Sequence, residues 1–252
     1  MVENRAHRIP SGDSEIAVAV TEGAAPPVLW LSGFRSDMLG GKAVAVADWG
    51  ASKGRKVVRF DYRGHGESGG AFEDHVLSDW LADAVLTFET FCGPGTIAVG
   101  SSMGGWIALL LARALKAKGT PLGGLVLIAP ACDFTERLMW PRLPEEARET
   151  LEREGRIMIP SEYGDAYPVT RRLFEDGRQH LLYGDAPIVT GCPVHILQGV
   201  QDPDVPHTHV LELVERLAED DVVLTLVKDG DHRLSREEDI ARLIAAVDGI
   251  SG

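Results

Sequence analysis

Residues 96–112 read TIAVGSSMGGWIALLLA and predict a strand, a sharp turn and a helix in immediate succession. The apolar run Thr96–Val99 is typical of a buried strand, and the run that begins at Trp106 is typical of a helix. The pentad between them is G-x-S-x-G, with Ser102 at its centre. We expect Gly100 and Gly104 to lack room for side chains, because so tight a turn presses the chain against its neighbours. Ser102 would then stand above the sheet as a candidate nucleophile.

Two further strand ends carry an acid and a histidine. The apolar run Val194–Gln198 is followed by Asp202, and the run Val222–Val227 is followed by His232. If these strands are parallel, Ser102 and both side chains converge at one edge of the sheet. An imidazole could accept the hydroxyl proton during attack on a substrate, and a carboxylate could fix the tautomer of that imidazole.

Other residues compete for these roles. Asp204 lies two residues after Asp202 and is an alternative acid. His207 and His209 open a predicted helix and are interpreted as solvated or capping residues, whereas His65 belongs to a separate glycine-rich segment.

That segment, DYRGHGESGG at residues 61–70, follows the short apolar strand Val57–Phe60. Its glycines permit a tight backbone path. We interpret Asp61 and Arg63 as a structural ion pair that holds the loop. The segment also contains G-x-G-x-x-G, but the next predicted helix starts only near His75, so a dinucleotide site is not expected.

Composition sets limits on the class of protein. The chain has 252 residues, is 44% hydrophobic and carries a net charge of −13, which fits one domain over residues 1–252 and disfavours binding to nucleic acid or anionic membranes. No apolar stretch approaches the length of a membrane span, and the N-terminus lacks the apolar core of a signal peptide. The three cysteines show no metal-binding spacing, so we expect a cytoplasmic protein without a metal site.

The order of the predicted elements indicates an α/β fold. Strands alternate with helices, including a helix over residues 41–53, which predicts a mostly parallel sheet covered on both faces. The alternation pauses from about residue 132 to 191, where no clear strand is evident. We interpret this segment as a small inserted helical cap.

Taken together, these motifs resemble the α/β-hydrolases. The segments GSSMGGW, FDYRGHGESGG, CPVHILQGVQD and DGDHR resemble in particular the subgroup of the mitochondrial palmitoyl-protein thioesterase and mycophenolic acid acyl-glucuronide esterase, with its bacterial relatives. The resemblance implies the α/β-hydrolase fold and the chain order serine, acid, histidine. It favours Asp202 over Asp204, because the spacing of Asp202 before Val205 and Pro206 fits the family loop.

The resemblance also implies an oxyanion hole and an activity. The backbone N–H of Met103 would supply one donor, and that of Phe34, after the strand Val28–Leu31, would supply the other. The Phe34 side chain could equally form a wall of the acyl site. The implied activity is hydrolysis of ester or thioester bonds in small molecules or acyl-proteins, with no cofactor. Peptide cleavage, C–C bond hydrolysis, perhydrolysis and a non-catalytic binding role remain alternatives, and the oligomeric state stays open.

Overall fold

The computed structural model describes residues 4–161, 164–184 and 186–250. In this part of the chain the strands are β1 Asn4–Ser11, β2 Ser14–Thr21, β3 Ala24–Leu31, β4 Arg55–Phe60, β5 Ile97–Ser101, β6 Gly124–Ile128, β7 Arg156–Ser161, β8 Gly164–Thr170, β9 Val194–Gly199 and β10 Val222–Val227. The α-helices are α1 Gly41–Lys53, α2 Leu77–Phe91, α3 Met103–Ala117, α4 Glu145–Glu154, α5 Arg171–Gly177, α6 His207–Arg216 and α7 Glu237–Ile250.

The central sheet has the strand order β1-β2-β4-β3-β5-β6-β9-β10. Strands β1, β2 and β4 pair antiparallel, and every pairing from β4 to β10 is parallel. One face packs against α2 and α3 through Trp80 and Trp106, and the other packs against α1 and α7 through Trp49 and Val247. The predicted α/β-hydrolase fold, a mostly parallel sheet between two helical layers, is confirmed.

Several element bounds match the sequence prediction closely, and one strand of the central sheet was missed. Helix α1 and strand β10 have the predicted bounds. Strand β1 was not predicted, and it pairs along its whole length with β2. Its residues are mostly exposed, so the strand lacks the apolar run that marks β5 or β6.

The segment between β6 and β9 contains helices, as expected, but also an antiparallel hairpin that was not predicted. A turn of π- and 3-10-helix over residues 135–142 leads into α4, the hairpin β7–β8 and then α5. Residues 162, 163 and 185 of this segment lie outside the described part. The expectation of a segment without strands is therefore wrong. Residues 132–191 are called the cap segment below.

The predicted ion pair between Asp61 and Arg63 is wrong. Arg63 Nε donates to the buried carboxylate of Asp83 on α2 at 2.8 Å. Asp61 accepts the backbone N–H groups of Met38 at 2.7 Å and Glu67 at 2.8 Å. The two side chains diverge, because Asp61 binds its own loop and the segment after β3, whereas Arg63 fastens the loop to α2.

Candidate active site

The turn after β5 is as tight as the sequence predicts. Ser102 has a φ of 55°, a backbone conformation that side-chain-bearing residues rarely adopt, and the N-terminus of α3 begins directly after it. A Cβ on Gly104 would collide with the carbonyl oxygen of Leu31 in β3, and a Cβ on Gly100 would collide with that of Gly104. The steric expectation for both glycines is confirmed. Ser102 is half-buried, so its hydroxyl is held on a rigid turn beside solvent.

The structure brings the three predicted site residues together. The hydroxyl of Ser102 lies 3.1 Å from Nε2 of His232, and Nδ1 of His232 lies 2.8 Å from Oδ2 of Asp202. With Nδ1 protonated, His232 donates to the carboxylate and accepts the serine proton. Both contacts are within hydrogen-bonding distance, and they join residues that are 130 and 30 positions apart in the chain.

Both carboxylate oxygens of Asp202 accept hydrogen bonds. Its side chain is inaccessible to solvent, and Oδ1 accepts the N–H groups of Asp204 and Val205, each at 2.8 Å. Oδ2 accepts from His232 and, at 3.2 Å, from the side-chain amide of Gln198. The aspartate that contacts His232 is thus Asp202, as the sequence favoured, rather than Asp204.

These contacts also bear on metal binding. Asp202, Asp204 and His232 offer possible ligand atoms within 4.8 Å of one another. Both oxygens of Asp202 and the Nδ1 atom of His232 are already joined by the hydrogen bonds above. The cluster therefore fits an imidazole oriented by a carboxylate.

Two backbone N–H groups belong to the turns next to Ser102. A Cβ built on Gly33 would be only 3.5 Å from the Cβ of Ser102, so the turn after β3 runs alongside the nucleophile candidate. In the part of the chain that the structure describes, the N–H groups of Phe34 and Met103 have no acceptor. The N–H of Met103 also lies at the positive end of the α3 dipole. Both groups therefore stay the candidate donors to an oxyanion that the sequence predicted.

The side chain of Phe34 joins the turn after β3 to an aromatic cluster. Its ring centroid lies 5.0 Å from that of Phe72 and 6.0 Å from that of Trp80. On the side of the cap segment, the centroids of Phe134 and Tyr167 lie 5.3 and 6.0 Å away. The backbone and side chain of Phe34 can therefore serve different purposes, the first as a donor and the second as an apolar wall.

The loop that carries His232 is fastened to the body of the protein. Lys42 in the first turn of α1 donates from Nζ to the carbonyl oxygen of Arg233. Burial lowers the pKa of Lys42 to about 8. Asp231 accepts the N–H groups of Arg233 at 3.1 Å and Leu234 at 3.0 Å. His232 is therefore anchored immediately before and after its own position.

One histidine prediction fails. His209 is buried, and its ring lies 4.7 Å from that of Tyr183, so it is neither solvated nor a capping residue. Burial lowers its pKa to about 4. The prediction failed because α6 packs this side against Tyr183 in the cap segment.

Two residues that hold the loops of the site were not predicted from the sequence: Gln198 and Lys42. Gln198 could have been found from the sequence. It ends an apolar strand just before the candidate acid, and a buried amide at such a position requires a polar partner. Lys42 gave no signal, because its partner is a backbone carbonyl 191 positions away.

Comparisons with known proteins also identify hydrolases as the relatives of this chain. The sequence pattern of the alpha/beta hydrolase family matches residues 28–246. Mouse palmitoyl-protein thioesterase ABHD10, mitochondrial, is 33% identical over 231 residues, which cover 91% of this chain and 76% of that protein. A crystal structure of a putative hydrolase from Agrobacterium vitis S4 is 48% identical, with a TM-score of 0.93 and complete coverage of both chains. The structure of mouse alpha/beta hydrolase domain-containing protein 10 is 30% identical, with a TM-score of 0.86 and 98% coverage of each chain.

The described residues contain no helix that is both long and apolar enough to cross a membrane.

Proposed function

This chain belongs to the alpha/beta hydrolase family, and on that premise we propose that it cleaves carboxylic thioesters and esters through an acyl-enzyme on Ser102. The observation that carries the proposal is the hydrogen-bonded series from Ser102 through His232 to Asp202. Relatives with thioesterase names support a hydrolase of the ester and thioester class.

In the first half of the reaction the enzyme would be acylated. Oγ of Ser102 attacks the carbonyl carbon of the substrate while its proton passes to Nε2 of His232. The carbonyl oxygen becomes an oxyanion that accepts the N–H groups of Phe34 and Met103. As the tetrahedral intermediate collapses, His232 returns the proton to the departing thiol or alcohol.

In the second half water would release the acid. His232 takes a proton from a water molecule, which attacks the ester carbonyl on Ser102. The same two N–H groups hold the second oxyanion. Collapse of this intermediate breaks the bond to Oγ, and the proton on His232 goes to the serine, so that a free carboxylic acid and the starting enzyme result. The carboxylate of Asp202 stabilises the imidazolium.

Two observations support an acyl substrate. The aromatic cluster around Phe34 offers an apolar surface next to the proposed oxyanion site, which suits a hydrocarbon chain. The thioesterase relatives at about one third identity act, by name, on palmitoyl-proteins. We therefore propose thioesters of small molecules or acylated proteins as the substrate class, with oxygen esters as the second group.

A hydrolysis panel tests this proposal. p-Nitrophenyl esters and acyl thioesters of about two to sixteen carbons are assayed with the wild type, Ser102→Ala and the exposed loop variant Ser36→Ala. We expect Ser102→Ala to lose activity with its fold intact and Ser36→Ala to retain it. A fluorophosphonate should label the wild type at Ser102. Labelling with turnover of peptide amides alone would indicate a peptidase, and absence of both labelling and turnover would favour a binding protein.

A further inference from the structure

The turn that carries the Phe34 N–H has an unfavourable backbone conformation. Arg35, the residue after Phe34, has a φ of 56°, in the left-handed region that favours glycine. Such a conformation persists only where the surrounding structure enforces it. Some contact must therefore hold the peptide group between Phe34 and Arg35.

The N–H of Ser36 closes this turn by donating to the carbonyl oxygen of Gly33 at 3.1 Å, and the side-chain contact comes from His65 in the loop after β4. The N–H of Arg35 donates to Nε2 of His65 at 3.2 Å, and Nδ1 of His65 lies 3.3 Å from the carbonyl oxygen of Arg63. The imidazole is fixed between aromatic rings, with its centroid 5.2 Å from those of Phe72 and Trp80. The ring therefore cannot turn away from Arg35 without disturbing its packing.

The surroundings also keep this imidazole neutral. Burial lowers the pKa of His65 to about 4, and the nearby Arg35 and His75 act in the same direction, whereas the carbonyl of Arg63 opposes them. At neutral pH one ring nitrogen carries a proton and the other carries a lone pair. The Arg63 carbonyl requires the proton on Nδ1, which leaves Nε2 as an acceptor for Arg35.

We propose that His65 is a positioning residue for the oxyanion turn. By accepting the N–H of Arg35, it holds the strained peptide so that the N–H of Phe34 faces the substrate oxygen above Ser102. His65 touches neither the nucleophile nor its base among the described contacts, so its effect passes through the turn. This inference rests on the proposed function.

The test compares His65→Leu, which cannot accept the hydrogen bond, with His65→Gln, whose amide oxygen can reach the position of Nε2. We expect His65→Leu to lower kcat by about 10- to 100-fold, less than the loss of a whole oxyanion donor, with KM within about threefold. His65→Gln should recover at least half of the lost activity on a logarithmic scale. The affinity for an alkyl boronic acid, which forms a tetrahedral adduct at the serine, should fall in parallel with kcat.

A matched control is His195→Leu. His195 also has a partly buried ring and one hydrogen bond, to Thr225 at 2.9 Å, but it lies on β9 away from the turn. This variant should keep the wild-type kcat and boronic acid affinity. Unfolding midpoints of all variants show whether each is folded at the assay temperature.

Three results would overturn the inference. The first is His65→Leu with unchanged kcat and boronic acid affinity. The second is an equal loss in His65→Gln and His65→Leu that follows the fraction of unfolded protein. The third is a wild type that turns over none of the substrates and takes no fluorophosphonate label, in which case the proposed function fails as well. A labelled, active wild type with an unaffected His65→Leu variant would refute the positioning role alone.

Discussion

The backbone N–H of Asp204 donates a hydrogen bond of 2.8 Å to Oδ1 of Asp202, whose other oxygen holds His232. Asp204 therefore binds Asp202 through its main chain. Its own carboxylate is not needed for that contact, and this separates the two acids that the sequence offered.

Asp202→Asn should lower kcat by about 10³- to 10⁴-fold, because the amide would favour the wrong tautomer of His232. Asp204→Asn keeps the backbone donor and should stay within about threefold of the wild type, since surface changes of this kind have small effects. Steady-state kinetics on one thioester measures both. A large loss in Asp204→Asn with normal Asp202→Asn activity would reverse the assignment.

Gln198→Leu should lower kcat by about tenfold, because Asp202 loses a side-chain donor and the carbonyl groups of Gly199 and Val205 lose theirs. Gln201→Leu, an exposed position two residues beyond β9, is the matched control and should be neutral. If both variants behave alike, Gln198 does not orient the acid.

Asp83→Asn should reduce the free energy of unfolding by about 3 kcal/mol, because the buried guanidinium of Arg63 loses its closer counter-charge and keeps only the carboxylate of Asp79, at 3.7 Å. Glu89→Gln removes one partner of the exposed pair with Lys118 and should change stability by less than about 1 kcal/mol. Urea unfolding curves of the two variants give the comparison. Equal losses would show that the Arg63–Asp83 pair contributes no more than a surface pair.

Tyr167→Ala should shift the preferred acyl-chain length, because this side chain brings the cap segment against Phe34 and lies 4.2 Å under the guanidinium of Arg35. Trp140→Ala is the control, since Trp140 packs within the cap segment against Phe174. The measurement is kcat/KM across the ester series. An unchanged optimum in Tyr167→Ala would exclude this residue from the acyl site.

Two buried histidines should lower the stability of the protein in mild acid. Burial holds the pKa values of His65 and His209 at about 4 in the folded state, against 6.5 for an ordinary histidine. Above pH 6.5 neither state binds the proton, and between pH 6.5 and 4 only the unfolded state does. Each histidine should therefore remove about 1.4 kcal/mol of stability per pH unit in that window.

The buried aspartates Asp61, Asp83 and Asp133 have raised pKa values, which change stability with pH in the opposite direction. The difference in the free energy of unfolding between wild type and His209→Gln isolates the histidine effect from theirs. Urea unfolding at several pH values from 7 to 4.5 should give a shallower decline in His209→Gln. Identical declines of stability with pH would show that His209 takes up its proton over the same pH range in the folded and unfolded states.

The candidate site could be predicted where it depends on chain order alone. Parallel strands bring their carboxyl ends to one edge, so the positions of Ser102, Asp202 and His232 after three apolar runs were sufficient to place them together. Contacts between distant elements could not be predicted in the same way. Arg63 finds Asp83 because α2 packs beside the loop, and neither residue type nor spacing indicates that choice.

The fold was predictable in the same sense. Buried strands such as β5 and β6 consist of apolar residues, whereas β1 is largely exposed and the β7–β8 hairpin contains polar residues and prolines. These peripheral strands form because a neighbouring strand supplies their hydrogen bonds, and single-sequence patterns do not record that neighbour.

Strands β6 and β9, which flank the cap segment in the chain, are adjacent and parallel in the sheet. The segment therefore leaves and re-enters the sheet at neighbouring positions, where Leu125 pairs directly with Val194. Evolution can exchange such an insertion as a unit, lengthening or replacing it while the strands on either side of it are inherited unchanged. The cap segment and the sheet can thus diverge at separate rates within one polypeptide.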